Sequence, residues 1–468
     1  MNRRQMLALG GGGFGMLALQ HLLGTDRLLA AEPRSTSGAR PPHFAPKAKS
    51  VIFLFMYGGP SHVDLFDPKP ELARWDGKPI PVWKDEDAFM GRKTKNVAMR
   101  SPYIFAKHGA AGIEIAETFP NLARHADDLC VIRSMHAESN NHGPALFQMN
   151  SGFTQPGRPS MGSWVTYGLG SESENLPAFV VLLDHQGGPV NGAMNWSNGF
   201  MPAAYQGVPF RSSGEPIAYL TPPKGVTASQ QRARLDLLRQ WNSEYAAASP
   251  AESSLAARVS AYELAFRMQM SASECTDLSR EPESIRSRYG LSHPTTQHFG
   301  RNCLLARRVV ERGVRFVQLY SGGNEGPKAW DAHDDLKKNH DLHCAETDGP
   351  IAALLDDLKA RGMLDSTLVV WGGEFGRSPV AENGKGRDHH PKGFTMWMAG
   401  GGIKGGVIHG ATDEFGYNAV EKPVSVPDLH ATILHQLGLD HERLTYRHSG
   451  RDFRLTDVSG NVIGEILA

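Results

Sequence analysis

The chain has 468 residues, with 49 Lys and Arg against 49 Asp and Glu, so its formal net charge is zero. A chain of this length can form one large domain with insertions, or roughly two or three smaller domains. The balanced charge excludes the basic surface that is typical of nucleic-acid-binding proteins, and no nucleic acid is expected as a partner. Histidine is unusually frequent, with 20 copies, several of them in tight clusters.

The first residues have the features of an export signal. Arg3 and Arg4 precede a glycine-rich apolar stretch, and small residues follow it. This pattern predicts a signal over residues 1–31, and the arginine pair favours the twin-arginine export machinery as a partner. The alternative is a permanent anchor, but the apolar stretch is shorter than the ~20 residues that cross a bilayer. We therefore predict an exported protein, periplasmic or extracellular, without a stable membrane span.

A Pro- and Ser-rich linker is predicted over residues 32–48, followed by one domain over residues 49–468. Helical patterns separate several apolar runs of this domain, and such alternation predicts an α/β fold with a doubly wound, mostly parallel sheet flanked by helices. The region at about 225–312 lacks strand patterns, which predicts a helical insertion. Six apolar runs are typical of strands covered on both faces, namely residues 51–56, 129–135, 178–184, 314–320, 367–373 and 394–400.

The four cysteines are scattered and form no CxxC pair. A chain of this size does not need disulfides to hold its core together, although a disulfide is possible. The sequence leaves its pairing open.

Carboxylates and imidazoles recur in the loops next to the predicted strands. The carboxyl ends of parallel strands meet at one edge of the sheet, and ligands bind at that edge. Carboxylates and imidazoles without a thiolate suit a divalent metal such as zinc or manganese, and an adjacent Arg can hold an oxyanion. The candidate residues are His62, Asp64, His142, Asp331, His333, Glu374, Arg377, Asp388 and His389.

Each loop also has a structural interpretation. Asp64 could cap a helix, Asp388 and His389 could belong to a polar turn, and Glu374 could form a salt bridge. Five such loops at one sheet edge favour a shared metal site over five separate structural roles.

The order of the motifs GGPSH-x-D, WDAH, GGEFGR and GRDHHP resembles the alkaline phosphatase-like superfamily. It is most similar to a family of secreted, sulfatase-like bacterial proteins, and the resemblance covers nearly the whole chain after the leader. It implies one or two divalent ions and the hydrolysis of phosphate or sulfate esters of small molecules or glycans. The chain lacks the Cys/Ser-x-Pro-x-Arg context of formylglycine sulfatases, so that type of sulfatase is not expected.

The resemblance also implies roles for particular residues. Asp331, His333 and His389 match the ligands of one metal, although the spacing of the first two is tighter than is usual in the superfamily. Glu374 matches a carboxylate ligand of the second metal, whereas the imidazole that should follow it is replaced by Phe375.

A further ligand of the second metal is expected at the end of the first strand. Tyr57 occupies that position, so only His62 or Asp64, further along the loop, could substitute. Arg377 is expected to hold a non-bridging oxygen of the ester.

The usual nucleophile of the superfamily falls on His142. This residue is either a metal ligand or a nucleophilic imidazole. The ligand role is favoured because the second metal has lost an imidazole, and water activated by the metal would then attack the ester.

Two functions therefore compete. The first is an exported metal-dependent hydrolase of phosphate or sulfate esters, which the many potential ligands favour. The second is a catalytically inert metal-binding or cell-surface accessory protein on the same fold, which the missing nucleophile favours. The substrate itself has no readable signature in the sequence.

Overall fold

The computed structural model describes residues 38–82, 97–211, 225–248, 263 and 275–468. The predicted export signal lies outside these residues, as do the start of the predicted linker and parts of the predicted insertion. The described secondary structure between 225 and 312 is helical. Among the described residues, no helix combines the length and the apolar composition that crossing a membrane requires.

The helices of the described residues are numbered in chain order. They are α1 His62–Leu65, α2 Pro70–Arg74, α3 His142–Ser151, α4 Met161–Leu169, α5 Ala228–Ala248, α6 Glu283–Arg288, α7 Gln297–Val310, α8 Leu336–Ala360 and α9 Val426–Gln436.

The strands are numbered in the same way, and all six predicted strands are present. They are β1 Ser50–Met56, β2 Phe105–His108, β3 Ile113–Ala116, β4 Leu129–His136, β5 Phe179–Leu182, β6 Val208–Phe210, β7 Phe316–Ser321, β8 Thr367–Gly372, β9 Gly376–Glu382, β10 Gly386–His390, β11 Phe394–Ala399, β12 Val407–His409, β13 Ala411–Thr412, β14 Ala419–Glu421, β15 Val424–Ser425, β16 Tyr446–His448 and β17 Arg451–Phe453.

The central sheet has nine strands in the order β12-β4-β11-β8-β1-β7-β5-β6, and β15 also pairs with β4. Strand β1 lies in the middle and is parallel to both neighbours, β7 and β8. Strand β11 is antiparallel to β4 and to β8, and the other pairings in the sheet are parallel. The prediction of a mostly parallel sheet flanked by helices is confirmed.

Alternate residues of β1 enter two different cores because successive side chains of a strand point to opposite faces. Leu54 and Met56 lie in a core that includes apolar residues of α7 and α8. Phe53 and Phe55 lie in the core on the other face, with residues of α3, α4 and α9. Burial on both faces explains why the strands are almost continuously apolar.

The described part of the predicted linker is packed against the domain. The backbone amide of Arg40 donates to the carbonyl of Leu169 at 2.7 Å, and that of His43 donates to Gly438 at 2.9 Å. These hydrogen bonds hold the segment against the ends of α4 and α9. Residues 38–48 therefore pack against the domain that the sequence predicts to begin at residue 49.

All four cysteines are buried as free thiols. No disulfide therefore joins any two of these four cysteines, which answers the question that the sequence left open. Two extensive apolar cores stabilise the fold without cross-links.

The reversed direction of β11 brings the chain segment before it to the carboxyl edge of the sheet. Strands β1, β4, β7 and β8 end at this edge, whereas β11 begins there because it is antiparallel to β4 and β8. The hairpin of β9 and β10 lies in the chain between the end of β8 and the start of β11. Its side chains therefore join those of the loops after β4 and β7.

Candidate metal centre

Four polar side chains converge on one oxygen atom, Oδ1 of Asp331. Nε2 of His333 lies 2.9 Å from it, Nε2 of His389 lies 3.1 Å from it, and Nε2 of His142 lies 3.4 Å from it. Arg377 donates a hydrogen bond to the same oxygen at 2.7 Å. The predicted trio Asp331, His333 and His389 is thus brought together, and His142 joins it.

The other ring nitrogen of each histidine is held by an acceptor. Nδ1–H of His142 donates to Oε1 of Glu374 at 2.6 Å, and Nδ1–H of His333 donates to Oε2 of Glu382 at 2.5 Å. The remaining ring, that of His389, donates to a backbone carbonyl in the loop after β4 at 2.8 Å. When such a ring is neutral, its proton lies on Nδ1 and the lone pair of Nε2 faces Asp331.

These lone pairs need a positive charge between them. Nε2 of His333 lies only 2.9 Å from Nε2 of His389, and two lone pairs at that distance repel unless a proton or a metal ion lies between them. Nε2 of His142 is buried and has no hydrogen-bond partner in the described part of the chain. Ligand atoms of His142, Asp331 and His389 all lie within 4.8 Å of one another. The arrangement fits a divalent cation bound by imidazole and carboxylate.

The surroundings shift the pKa values of the cluster strongly. Burial alone would raise the pKa of Asp331, but Arg377 and the three histidines hold it well below its usual range. Burial would lower the pKa of His333, yet Asp331 and Glu382 raise it to about 9. In His389 burial prevails over Asp331, so its pKa lies well below the ordinary value.

His142 is also subject to opposing effects. Burial lowers its pKa, whereas the carboxylates of Asp331 and Glu374 raise it by more. The two carboxylates therefore favour a positive charge at this ring, carried either by a proton or by a bound cation. A divalent ion at the centre would supply that positive charge.

His142 is the first residue of α3, and the side chain of Asn141 caps this helix by accepting from the amide of Gly143 at 3.1 Å. The imidazole packs against the ring of Phe375, with centroids 5.0 Å apart, and edge-on against Tyr57 at 5.5 Å. The cap and the two rings fix where the imidazole lies.

The loop that carries Asp331 approaches the end of β1 so closely that a glycine is required there. Gly58 has a φ of +112°, and a Cβ on it would lie 2.6 Å from the amide nitrogen of Asp331. The amide of Trp330 donates to the carbonyl of Tyr57 at 2.8 Å, which fixes the loop. The backbone therefore determines the position of the central carboxylate.

Glu374 lies on the Nδ1 side of His142. Its carboxylate is fully buried and accepts hydrogen bonds from the amide of Gly58, at 3.0 and 3.3 Å, and from His142. The glycines around it leave room for this backbone contact. Glu374 is thus placed to orient the imidazole of His142, and its predicted role as a ligand stays a prediction.

Arg377 does not have the free guanidinium that a substrate oxygen would require. It is fully buried and donates to Asp331 and to the backbone carbonyls of Gly58, Gly59, Trp330 and Arg387. Its predicted role in holding an ester oxygen stays a prediction. The residue fixes Asp331 and the surrounding turns.

The predicted alternative ligands in the first loop are engaged elsewhere. Asp64 accepts from Arg387 at 2.7 and 3.1 Å and from Ser61, in a pair that is fully buried. Burial would raise the pKa of Asp64, but Arg387 lowers it. Nε2 of His62 lies 2.8 Å from the carbonyl of Gly416. In the structure neither of these two side chains forms a hydrogen bond with Glu374 among the described residues, and a ligand role for either stays a prediction.

A second group of ligand-type atoms adjoins the first. Side chains of His333, Glu382 and Asp388 lie within 4.8 Å of one another. Asp388 was a sequence candidate, whereas Glu382 was missed. The turn Asn383-Gly384 between two strand-like segments is a strong hairpin signal, and it would have placed Glu382 beside the histidine-bearing strand.

The side chains of this centre differ in their exposure to solvent. The side chain of His333 is 19% exposed and that of His142 is 11% exposed, whereas that of His389 is 2% exposed. The centre is therefore most exposed at His333.

Solved structures that resemble the chain have low sequence identity to it. The lipoteichoic acid synthase LtaP from Listeria monocytogenes is 9% identical with a TM-score of 0.33, over 90% of this chain and 78% of that one. The alkaline phosphatase from the Antarctic bacterium TAB5 is 10% identical with a TM-score of 0.35, over 84% and 99%. The phosphonate monoester hydrolase SpPMH from Silicibacter pomeroyi is 12% identical with a TM-score of 0.32, over 68% of each chain.

No curated protein matches the chain significantly. One family model covers residues 48–467, which is nearly all of the chain after the predicted signal and linker. Its span includes both groups of ligand-type residues described above. The chain belongs to the family described as "Protein of unknown function (DUF1501)".

Proposed function

We propose that this protein is an exported, metal-dependent hydrolase of phosphate or sulfate esters. The observation that carries the proposal is the convergence of imidazole Nε2 atoms on Oδ1 of Asp331, each ring being held at Nδ1 by an acceptor. Metal-binding histidines are held in this way because the second hydrogen bond fixes both tautomer and orientation.

Asp331, His333 and His389 would hold the ion. One carboxylate and two imidazoles form a three-ligand set with an open position, and these donors suit zinc or manganese. When bound, a divalent ion polarises an ester oxygen and makes nearby water more acidic.

Neighbouring residues orient and shield these three candidate ligands. Arg377 keeps Asp331 ionised and points Oδ1 at the imidazoles. Glu382 orients His333. Phe375, 1% exposed, packs against His389 with ring centroids 4.6 Å apart and excludes water from that side.

The charge of the site favours an anionic substrate. A divalent ion with one carboxylate ligand and neutral imidazoles keeps a net positive charge, and the guanidinium of Arg377 lies beside it. Phosphate and sulfate esters are anions of this kind, and the superfamily resembled by the motifs acts on them. The ester would be that of a small molecule or a glycan.

The test is a metal assay combined with a hydrolysis panel. Protein purified after export should contain close to one zinc or manganese ion per chain and should hydrolyse at least one of p-nitrophenyl phosphate, bis-p-nitrophenyl phosphate and p-nitrophenyl sulfate. His389→Ala should lose both metal and activity. His343→Ala is the matched control, because His343 is equally buried but contacts Glu346 and Ala329 instead of Asp331.

Two outcomes would contradict the proposal. Full metal content without activity on any ester would favour the inert metal-binding or accessory function. Equal metal loss in both variants, or in neither, would remove the assigned ligands.

A further inference from the structure

We propose that helix α5 is a self-association surface, through which two copies of this chain pair as antiparallel helices. The inference is independent of the proposed function, because none of the residues assigned to the candidate metal centre lies in α5.

Helix α5 carries large apolar side chains on a face that is exposed to solvent. Leu237, Trp241 and Tyr245 are 45%, 57% and 57% exposed, and Leu238 beside them is 38% exposed. Residues three or four apart in a helix lie on one face, so these four side chains form one surface, the α5 stripe. An apolar surface of this kind is typical of an interaction site.

A different face of α5 is turned toward the chain. Leu235 and Asn242 are partly buried, and Arg232 forms an ion pair with Glu263 at 2.9 Å. Leu235 and Asn242 lie about 100–120° around the helix axis from Trp241. The α5 stripe is therefore left for a partner.

Two charges of opposite sign lie at the ends of the α5 stripe. Arg234 comes three residues before Leu237, Glu244 comes three residues after Trp241, and both charged residues are exposed. No ion pair joins either of them to another described residue. Ten positions of helix separate them by about 15 Å, so they cannot pair within one chain.

An antiparallel pair of α5 helices with a twofold axis at position 239 matches these charges. Arg234 of one copy then lies opposite Glu244 of the other, and Leu237 of one lies opposite Trp241 of the other. The twofold axis makes each contact occur twice, so two charge pairs enclose the apolar layers. The spacing of the four residues is that of the a and d positions of a coiled coil.

A lipid surface fits the α5 stripe less well. Helices that lie on membranes carry mainly Lys and Arg on their polar face. The three arginines of α5 are accompanied by Asp236 and Glu244. Glu244 lies at the end of the α5 stripe, where anionic lipid would repel it. A second copy of the chain is therefore the better partner.

Sedimentation of the full-length protein tests the surface. The α5 stripe is short compared with a standard interface, so we expect the dimer to dissociate at micromolar concentration. Between about 1 and 100 μM the mass should change from one chain to two. Trp241→Glu should stay monomeric over this range and, when dilute, unfold at the urea concentration of the wild type, because the side chain is mostly exposed.

Charge exchange tests the antiparallel register. Arg234→Glu and Glu244→Arg each place like charges opposite each other twice, so each should raise the dimer dissociation constant at least about 10-fold. The double variant and an equimolar mixture of the two single variants both restore opposite charges, and both should associate like the wild type. Arg239→Glu is the matched control, because Arg239 is exposed on the same helix outside the α5 stripe.

Four results would overturn the inference. A wild type that stays monomeric at every concentration would remove the dimer. Binding of that monomer to phosphatidylglycerol vesicles, lost in Trp241→Glu, would identify a lipid surface as the partner. A dimer that Trp241→Glu leaves intact would place the contact elsewhere. Failure of both the double variant and the mixture to associate would exclude the antiparallel register.

Discussion

Oε1 of Glu374 lies 2.6 Å from Nδ1 of His142, so the carboxylate meets the candidate metal centre through that imidazole. Its second contact is the amide of Gly58. A buried carboxylate needs compensation, and here a backbone amide and an imidazole supply it. Glu374 is therefore placed to position a neighbouring ring.

Glu374→Gln should separate positioning from ligation. The substitution keeps the size of the side chain and removes its charge, so metal content should stay at the wild-type level while ester hydrolysis falls by about 10- to 100-fold. Metal analysis and steady-state kinetics measure the two effects, with the exposed Glu465→Gln as control. Metal loss as large as in His389→Ala would show that Glu374 is a ligand after all.

Gly58→Ala should disturb the loop that carries Asp331. A Cβ there would lie 2.6 Å from the amide nitrogen of that residue. Gly77→Ala is a matched control, because Gly77 also has a positive φ but nothing lies within 4 Å of its Cβ position. The control should cost roughly 1–2 kcal/mol for backbone strain, and Gly58→Ala should cost clearly more and lower metal content. Equal urea-unfolding midpoints of the two variants would contradict this account.

Arg377→Lys should destabilise the protein although it keeps the charge. The fully buried guanidinium bonds Asp331 and several backbone carbonyls at once, and an ammonium cannot reproduce that planar fork. Leaving buried groups unpaired should lower the free energy of unfolding by about 3–5 kcal/mol. Urea unfolding measures the effect, and the exposed Arg74→Lys should change little. A loss under about 1 kcal/mol would show that the ammonium suffices.

His430 should make stability depend on pH. The residue is fully buried, donates from Nε2 to the carbonyl of Met149 at 2.9 Å, and burial lowers its pKa from 6.5 to about 4. Because the folded-state pKa is the lower one, the unfolded chain takes up a proton first as pH falls below 6.5. Stability is therefore unaffected above that pH and is lost toward pH 4, by about 3 kcal/mol.

The comparison with His430→Gln isolates this effect, because an amide can donate to the same carbonyl and does not titrate. Urea unfolding at several pH values between 7 and 4 should give a shallower decline for the variant. Parallel curves would mean that His430 does not contribute to the pH dependence.

Arg3→Lys combined with Arg4→Lys should leave the precursor in the cytoplasm. The twin-arginine receptor reads a guanidinium pair, and two ammonium groups replace it poorly. Fractionation with an antibody against the protein measures the distribution. Normal export of the double variant would indicate a general secretory signal.

The six main strands and the class of the fold could be predicted from the sequence. A strand covered on both faces must be apolar at nearly every position, and β1 and β8 are long enough for this pattern to be clear. The proximity of Asp331, His333 and His389 followed from the rule that loops at the carboxyl edge of a parallel sheet meet. Local pattern and one topological rule were sufficient for these features.

The partner of each charged residue was decided only by the tertiary structure. Arg377 was expected to face a substrate, but the turns at Gly58 and Gly59 bring backbone carbonyls around its guanidinium. Asp64 was expected near a metal, but the β9–β10 hairpin brings Arg387 against it. A carboxylate or guanidinium has the same local pattern whether it pairs with a side chain, a carbonyl or an ion.

The pairing of Glu374 with His142 has the same origin. The two residues are 232 positions apart and meet because β11 runs antiparallel between β4 and β8, which sets the spacing of the loops that carry them. Hydrophobic periodicity identifies a strand but carries no information about its direction or its neighbours, since both follow from packing between distant segments. The chemistry of this site therefore depends on tertiary contacts that no local stretch of the chain encodes.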